Sequence, residues 1–169
     1  MPMFPLKRLS AAAIPRALDK AERYRLLNQA WAADSICLDI LAAEPGHQKA
    51  LRMLLLAITD QFGENMGGGL ERSREAAAKL TSEYERAYYE GIICERRAKA
   101  QLDHRMPGAG FIAYELLREA MSWYEKAEKV RPEGNDDALL RWNTCARLLN
   151  ESPYIMPRGE EKVEPAFGE

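Results

Sequence analysis

The sequence predicts an all-α protein, and three observations support that fold class. The composition is rich in Ala, Leu, Glu, Arg and Lys, which are strong helix formers. Apolar residues recur at helical spacing, and no segment shows the alternating pattern of a half-buried strand. Proline and glycine clusters divide the chain into segments of helical length, so the pattern indicates a helical bundle or array.

Seven helices are predicted in chain order. They are expected over residues 14–28, 31–43, 48–62, 70–80, 82–102, 112–130 and 137–150. Pro15 falls in the first turn of the first helix, where its missing N–H is tolerated. Pro45 and Gly46 end the second helix, and the third contains so many leucines that burial on several sides is expected.

The remaining helices have their own start and stop signals. The run Gly67–Gly69 predicts a flexible loop before the fourth helix. Ser82 with Glu85 three residues later has the form of a capping box that opens the fifth helix. Pro132 follows the sixth helix, and the polar run 135–137 offers N-caps for the seventh. Three parts result: a lead-in over 1–13, a helical domain over 14–150, and an extended or disordered tail over 151–169.

Two helix ends repeat one spacing of buried-type residues. The copies are Ala33-x3-Cys37-x2-Ile40-x4-Pro45 and Ala120-x3-Tyr124-x2-Ala127-x4-Pro132. A small residue lets two helices approach closely, a larger one fills the space beside it, and the proline forces a turn. Internal repeats of this kind are typical of helical-hairpin arrays.

These segments resemble the second helix of the tetratricopeptide repeat. Ala21 and Tyr24 match its first helix, twelve residues before Ala33, and Gly91 takes the small position in the last copy. The middle copy is degenerate, with Leu55 at the small position and no closing proline. The resemblance covers residues 14–150 with about 19 inserted residues. It implies hairpins stacked in a short right-handed superhelix that ends in a polar-faced capping helix.

The resemblance also implies a binding groove on the concave face, lined by the first helix of each repeat. The groove positions are Leu18, Glu22, Arg25, Lys49, Arg52, Leu56, Tyr88, Ile92, Glu95 and Arg96. Their basic lean favours an acidic or amphipathic segment of a partner protein. The expected function is a non-catalytic adaptor or scaffold for protein binding. Leu18 and Glu22 depart from the subset that clamps a C-terminal carboxylate, so that specificity is not expected.

Two alternatives remain open for this surface. The chain's own tail could fill the groove, with Tyr154, Ile155 and Met156 as apolar anchors. The protein could instead be a self-associating structural subunit, a homo-oligomer joined through exposed apolar surface of the third helix or through the tail.

No catalytic, cofactor or metal site is predicted. Cys37, Cys94 and Cys145 are too few and too far apart for a disulfide framework, so they are expected as buried, reduced thiols of a cytoplasmic protein. His47 and His104 have no partner at metal-ligand spacing. The glycine run lacks the Lys-Ser/Thr of a phosphate loop.

Structural roles are also expected for the tryptophans and for the arginines of the helices. The three tryptophans are expected in the core or in packing between repeats. The helical arginines, including Arg96 and Arg141, are expected on solvated faces or in weak ion pairs. The net charge of −2 predicts no affinity for nucleic acid, and the absence of an apolar run of membrane-spanning length predicts no membrane segment.

Overall fold

The structure of the protein is a computed structural model that describes residues 3–64 and 66–159, without the side chains of 66 and 67. The regular structure in these ranges is entirely helical. A single 3-10 turn, Ala11–Ala13, precedes the first α-helix. The seven helices are α1 Ile14–Leu26, α2 Ala30–Ala43, α3 Gln48–Asp60, α4 Met66–Ala78, α5 Glu83–His104, α6 Ala109–Lys129 and α7 Asp137–Glu151. The prediction of an all-α chain with seven helices is confirmed.

The helices follow one another in space as they do in sequence. Each packs against its neighbours along the chain, and α1 also packs against α3, as α3 does against α5. The most extensive of these interfaces joins α5 and α6. The order of contacts is that of successive hairpins, α1–α2, α3–α4 and α5–α6, with α7 against α6.

The glycine run 67–69 is part of α4, so the prediction of a flexible loop at these residues is wrong. Helix α4 begins at Met66, and the run forms its first turn. Gly69 is buried against α3, and a Cβ at this position would lie 3.3 Å from Phe62 Cε1 and 3.4 Å from Ile58 Cγ2. Close packing of α4 on α3 therefore offsets the low helix propensity of glycine.

At the N-terminus of α5, a contact with α3 replaces one half of the predicted capping box. Ser82 Oγ accepts a hydrogen bond from the Glu85 backbone N–H at 3.2 Å, as the capping box predicts. The other half of the box does not form, because the Glu85 carboxylate accepts from Arg52 Nη1 of α3 at 3.0 and 3.2 Å. A residue that could cap its own helix instead joins α3 to α5.

The positions of the repeated spacing lie in the core. Six of them have no exposed surface: Ala33, Cys37, Ile40, Ala120, Tyr124 and Ala127. The small positions of the first helices, Ala21 and Leu55, are equally buried. The spacing seen in the sequence therefore marks the helix–helix contacts of the first and last hairpins.

The middle hairpin carries the same spacing in a shifted register. Ser73, Ala77 and Leu80 repeat the intervals of Ala33, Cys37 and Ile40, and all three are buried. Ser73 comes 18 residues after Leu55, whereas Ala33 comes 12 residues after Ala21. A connection lengthened by six residues therefore hides the second helix of the middle copy from a fixed-period search.

Gly91 and Tyr124 form the closest contact between α5 and α6. A Cβ on Gly91 would lie 2.7 Å from Tyr124 Cδ1 and 2.9 Å from Cζ, well inside van der Waals separation. The ring is fully buried and cannot move without displacing its neighbours. Glycine is required here because the ring of Tyr124 lies where a side chain would begin.

The polypeptide after α7 returns to the helical domain. Ile155 is 6% exposed, and the Tyr154 carbonyl lies over Gly110 where a Cβ would stand. Leu102 and Leu148 border the same place. Residues 160–169 of the predicted tail lie outside the described ranges.

Replacing Gly91 with alanine should destabilise the protein by about 1–3 kcal/mol, because overpacking outweighs the helix-propensity gain. Gly68→Ala is the matched control, since Gly68 also lies in a helix and its Cβ would meet nothing within 4 Å. That variant should be stabilised by about 0.5–1 kcal/mol. Urea unfolding of both variants measures the effects, and equal stabilities would contradict the assigned contact.

Candidate functional site

A cavity of about 790 Å³ is lined by residues of α1, α3, α5 and α7, by Ala30 of α2, and by residues of the connections after α1 and α3. That volume is in the range of sites that hold ligands or polypeptide segments. We call this cavity the groove. Its lining from α1, α3, α5 and α7 includes Arg25, Leu26, Thr59, Asp60, Glu95, Arg96, Lys99, Ala100, Asp103 and Arg141.

The floor of the groove is an ion-pair cluster around Asp60, at the end of α3. Arg25 Nε of α1 donates to Asp60 Oδ2 at 2.6 Å, and Arg96 Nη1 of α5 donates to Asp60 Oδ1. All three side chains are only 22–23% exposed. One carboxylate therefore joins three helices that are not consecutive in the chain.

A second cluster forms the wall between α5 and α7. Glu95 Oε2 accepts from the Tyr124 hydroxyl at 2.6 Å and from Arg141 Nε at 3.1 Å, while Arg141 Nη2 donates to Oε1. The Glu95 side chain is 14% exposed, and Tyr124 is fully buried. The carboxylate therefore satisfies both a buried hydroxyl and a half-buried guanidinium.

The pKa shifts of this cluster follow from burial and from the Glu95 charge. Burial, and then the adjacent carboxylate, raise the pKa of Tyr124 far above its ordinary value. Burial is the largest single influence on Arg141 and lowers its pKa, but Glu95 and Tyr124, through charge and hydrogen bonding together, raise the pKa overall. The hydroxyl stays protonated and the guanidinium charged across the physiological range.

The charged side chains of the groove are balanced. Four cations line it, Arg25, Arg96, Lys99 and Arg141, together with four carboxylates, Asp60, Glu64, Glu95 and Asp103. Each of the four cations is paired with one of these carboxylates. The basic lean predicted for the groove is thus neutralised by side chains of the protein itself.

Three of the ten predicted groove residues line this cavity: Arg25, Glu95 and Arg96. Leu18 and Ile92 are buried in the core, and Leu56 and Tyr88 are half-buried against it. These four residues contribute to packing.

The other predicted groove residues lie at the surface or in an ion pair. Glu22 and Lys49 are exposed, and Arg52 is held by Glu85. The structure therefore brings three of the predicted residues together in the cavity, uses five to pack or pair α1, α3 and α5, and leaves Glu22 and Lys49 exposed.

Sequence reasoning missed five charged residues of the groove, among them Glu64 in the connection after α3. Asp60 lies four residues after Leu56, and Lys99 and Asp103 continue the same face of α5 beyond Glu95. Helical spacing could have identified these three. Arg141 could not be found that way, because α7 was expected to be a cap outside the groove.

Large apolar side chains stand exposed at the turn between α1 and α2. Leu26 is 74%, Leu27 61% and Trp31 69% exposed, and Leu26 also borders the groove. The expectation that Trp31 lies in the core or in packing between repeats is therefore wrong, because the first turn of α2 projects it into solvent. Trp123 and Trp142 do pack against the core.

The described part of the tail lies away from the groove. Tyr154 and Ile155 border Leu102 and Leu148, which do not line the groove, and neither tail residue is among the groove lining. Between residues 152 and 159, the structure gives no support to the alternative in which the tail fills the groove.

The three cysteines are free and buried. Burial is the main cause that raises the pKa of each thiol from 9.0 to about 12, with added effects of Asp34 on Cys37, Glu119 on Cys94 and Glu95 on Cys145. Thiols in such surroundings are poor nucleophiles.

The histidines have local roles or none. His47 Nδ1 accepts from the Ala50 backbone N–H at 3.1 Å and caps α3, and His104 ends α5. Within the described residues, no group of three or more His, Cys, Asp and Glu side chains is placed to hold a metal ion.

Across the described ranges, no helix combines the length and apolarity that crossing a bilayer requires.

The chain matches no protein-family model, no curated protein and no solved structure.

Replacing Asp60 with asparagine should destabilise the protein by about 1–3 kcal/mol, because two part-buried arginines lose their shared carboxylate. Asp103→Asn is the control, since its pair with Lys99 is largely exposed and contributes at most about 0.5 kcal/mol. Thermal unfolding at low and high salt distinguishes the two. Equal losses for both variants would contradict a structural role for the Asp60 cluster.

The native thiols should resist alkylation at pH 8, because a pKa near 12 lowers the thiolate fraction about a thousandfold relative to an ordinary cysteine. Labelling with a thiol reagent, with and without denaturant, measures this. Rapid labelling of any cysteine in the folded protein would contradict the burial assigned to it.

Proposed function

We propose that this protein is a non-catalytic interaction domain of the tetratricopeptide-like kind, which binds a peptide or helix of a partner protein in the groove. One observation carries the proposal: α1, α3, α5 and α7 contribute to one cavity of about 790 Å³. The exposed Leu26 at its border offers an apolar anchor beside polar walls, and such a mixture is common in protein interfaces.

The balanced charges of the groove set the chemistry of the proposed partner. A strongly acidic segment would have to displace Asp60 or Glu95 from arginines that join the helices. A segment of mixed charge can add hydrogen bonds to these pairs without breaking them. The partner is therefore a polypeptide with interspersed charges and an apolar residue that contacts Leu26.

Other parts of the proposal rest on simpler observations. Three free, buried thiols favour a reducing compartment, which supports a cytoplasmic location. Self-assembly through α3 is disfavoured because Leu51, Leu54, Leu55 and Ile58 are buried within the protein. No cofactor is invoked.

A charge exchange in the groove tests the proposal without disturbing the fold. Lys99→Glu with Asp103→Lys keeps an ion pair at the same helical spacing but reverses the charges shown to a ligand. The matched control exchanges Glu115 and Arg118, which are exposed on α6 away from the groove lining.

Affinity capture from the native host, quantified by mass spectrometry, compares the variants. The groove exchange should lower recovery of the partner about tenfold, whereas the α6 exchange should leave it unchanged. Equal recovery by both variants would count against binding in the groove.

A further inference from the structure

A second surface, on the outer side of α1, carries cations that the fold does not use. Arg16, Lys20 and Arg23 line a concavity of about 430 Å³ together with Asp19, Tyr24 and Leu27. Within the described ranges, none of the three cations forms an ion pair. We call this surface the α1 outer face.

The unpaired cations contrast with the arginines that stack the helices. Arg25, on the opposite side of α1, is held by Asp60, and Arg52 is held by Glu85. Among the described residues, Asp19 is the one acidic residue in the lining of this concavity, against three cations. The cations there are therefore available to a ligand.

The residues of this surface are spread along the length of α1. This arrangement suits a ligand that lies along α1, such as a helix, better than a small ligand bound at one point. Arg16, Lys20, Arg23 and Leu27 recur at intervals of four, three and four residues, so they form one stripe along α1. The stripe ends at the turn where Leu26, Leu27 and Trp31 are 61–74% exposed. Tryptophan and arginine are the residues most often found at the energetic centre of protein interfaces.

The distribution of charge along the chain indicates the sign of the ligand. The first 32 residues contain six basic and two acidic residues, while the other 137 contain 18 basic and 24 acidic residues. A positive end on an otherwise negative protein attracts an acidic partner and repels a basic one.

We propose that the α1 outer face binds an acidic amphipathic helix of a partner protein. The helix lies along α1, with carboxylates facing Arg16, Lys20 and Arg23 and apolar residues covering Leu27 and Trp31. This surface is separate from the groove, because Arg16, Lys20 and Arg23 are not part of the groove lining. The acidic partner predicted from the sequence is thereby assigned to a different face from the one expected.

A pair of synthetic helical peptides tests the proposal directly. Both have leucine at the same helical positions, and their polar positions are glutamate in one and lysine in the other. Fluorescence anisotropy with the full-length chain should show binding of the glutamate peptide that weakens as salt is raised. The lysine peptide should not bind.

Two variants of the chain locate the site. Arg16→Glu with Lys20→Glu should weaken binding of the glutamate peptide at least about tenfold, since two attractions become repulsions. Both side chains are exposed, and glutamate near the start of α1 suits the helix dipole, so the fold should be retained. Leu27→Asn, which removes the apolar anchor without changing charge, should also weaken binding.

The matched control makes the same charge change elsewhere. Arg118→Glu with Arg147→Glu alters exposed residues of α6 and α7. This control and the Lys99/Asp103 groove exchange should bind the glutamate peptide like the wild type. Peptide binding tests the α1 outer face, and recovery of the partner tests the groove. Failure of one proposal can therefore be distinguished from failure of the other.

Four results would overturn the proposal. They are equal binding of both peptides, an unchanged affinity of the Arg16/Lys20 variant, an equal loss in the Arg118/Arg147 control, and evidence for a different occupant. A second copy is the occupant if sedimentation shows self-association that the Arg16/Lys20 variant abolishes. A lipid surface is the occupant if anionic phosphatidylserine vesicles retain the wild type but not that variant.

Discussion

The contact between Gly91 and Tyr124 is the constraint on which the α5–α7 half of the structure depends. The absence of a side chain at Gly91 brings α5 and α6 close enough to bury the tyrosine ring completely. A buried phenol needs a hydrogen-bond partner, and Glu95, one turn along α5 from Gly91, supplies it at 2.6 Å. A carboxylate in that position needs a counter-charge in turn, which Arg141 of α7 provides. One glycine therefore leads, through two polar requirements, to the attachment of α7.

Ion pairs between alternate helices organise the rest of the molecule. In the described residues, Asp34 of α2 pairs with Arg72 of α4. Arg25 and Arg96 share Asp60 across α1, α3 and α5, and Arg52 of α3 pairs with Glu85 of α5. Successive helices are held by apolar packing, whereas these pairs fix the placement of each hairpin on the next.

This use of charge changes how the functional surfaces are interpreted. Arginines that follow the groove positions of a repeat pattern suggest a basic groove when the sequence is considered alone. The carboxylates that neutralise them come from other helices, so the groove is polar but balanced. On the outer side of α1, by contrast, Arg16, Lys20 and Arg23 form no ion pair within the described residues. Function is therefore proposed separately for a mixed-charge groove and for a basic outer face.

The sequence by itself determined the helical class, the seven helices and most of their ends. These features depend on local propensity, on breakers such as Pro45 and Pro132, and on apolar periodicity. It also identified Ala33, Cys37, Ala120 and Tyr124 as buried contacts, because small and large residues at fixed spacing report on the face that a helix presents. Tertiary structure alone decided the helical state of Gly67–Gly69, the shifted register of Ser73 and the exposure of Trp31. It also decided the pairing of Asp60, Glu85 and Glu95 with arginines distant in the chain. The physical reason is that helix formation is governed by neighbours within a few residues, whereas the partner of a charge and the burial of a side chain depend on helices that the chain brings together only when it folds.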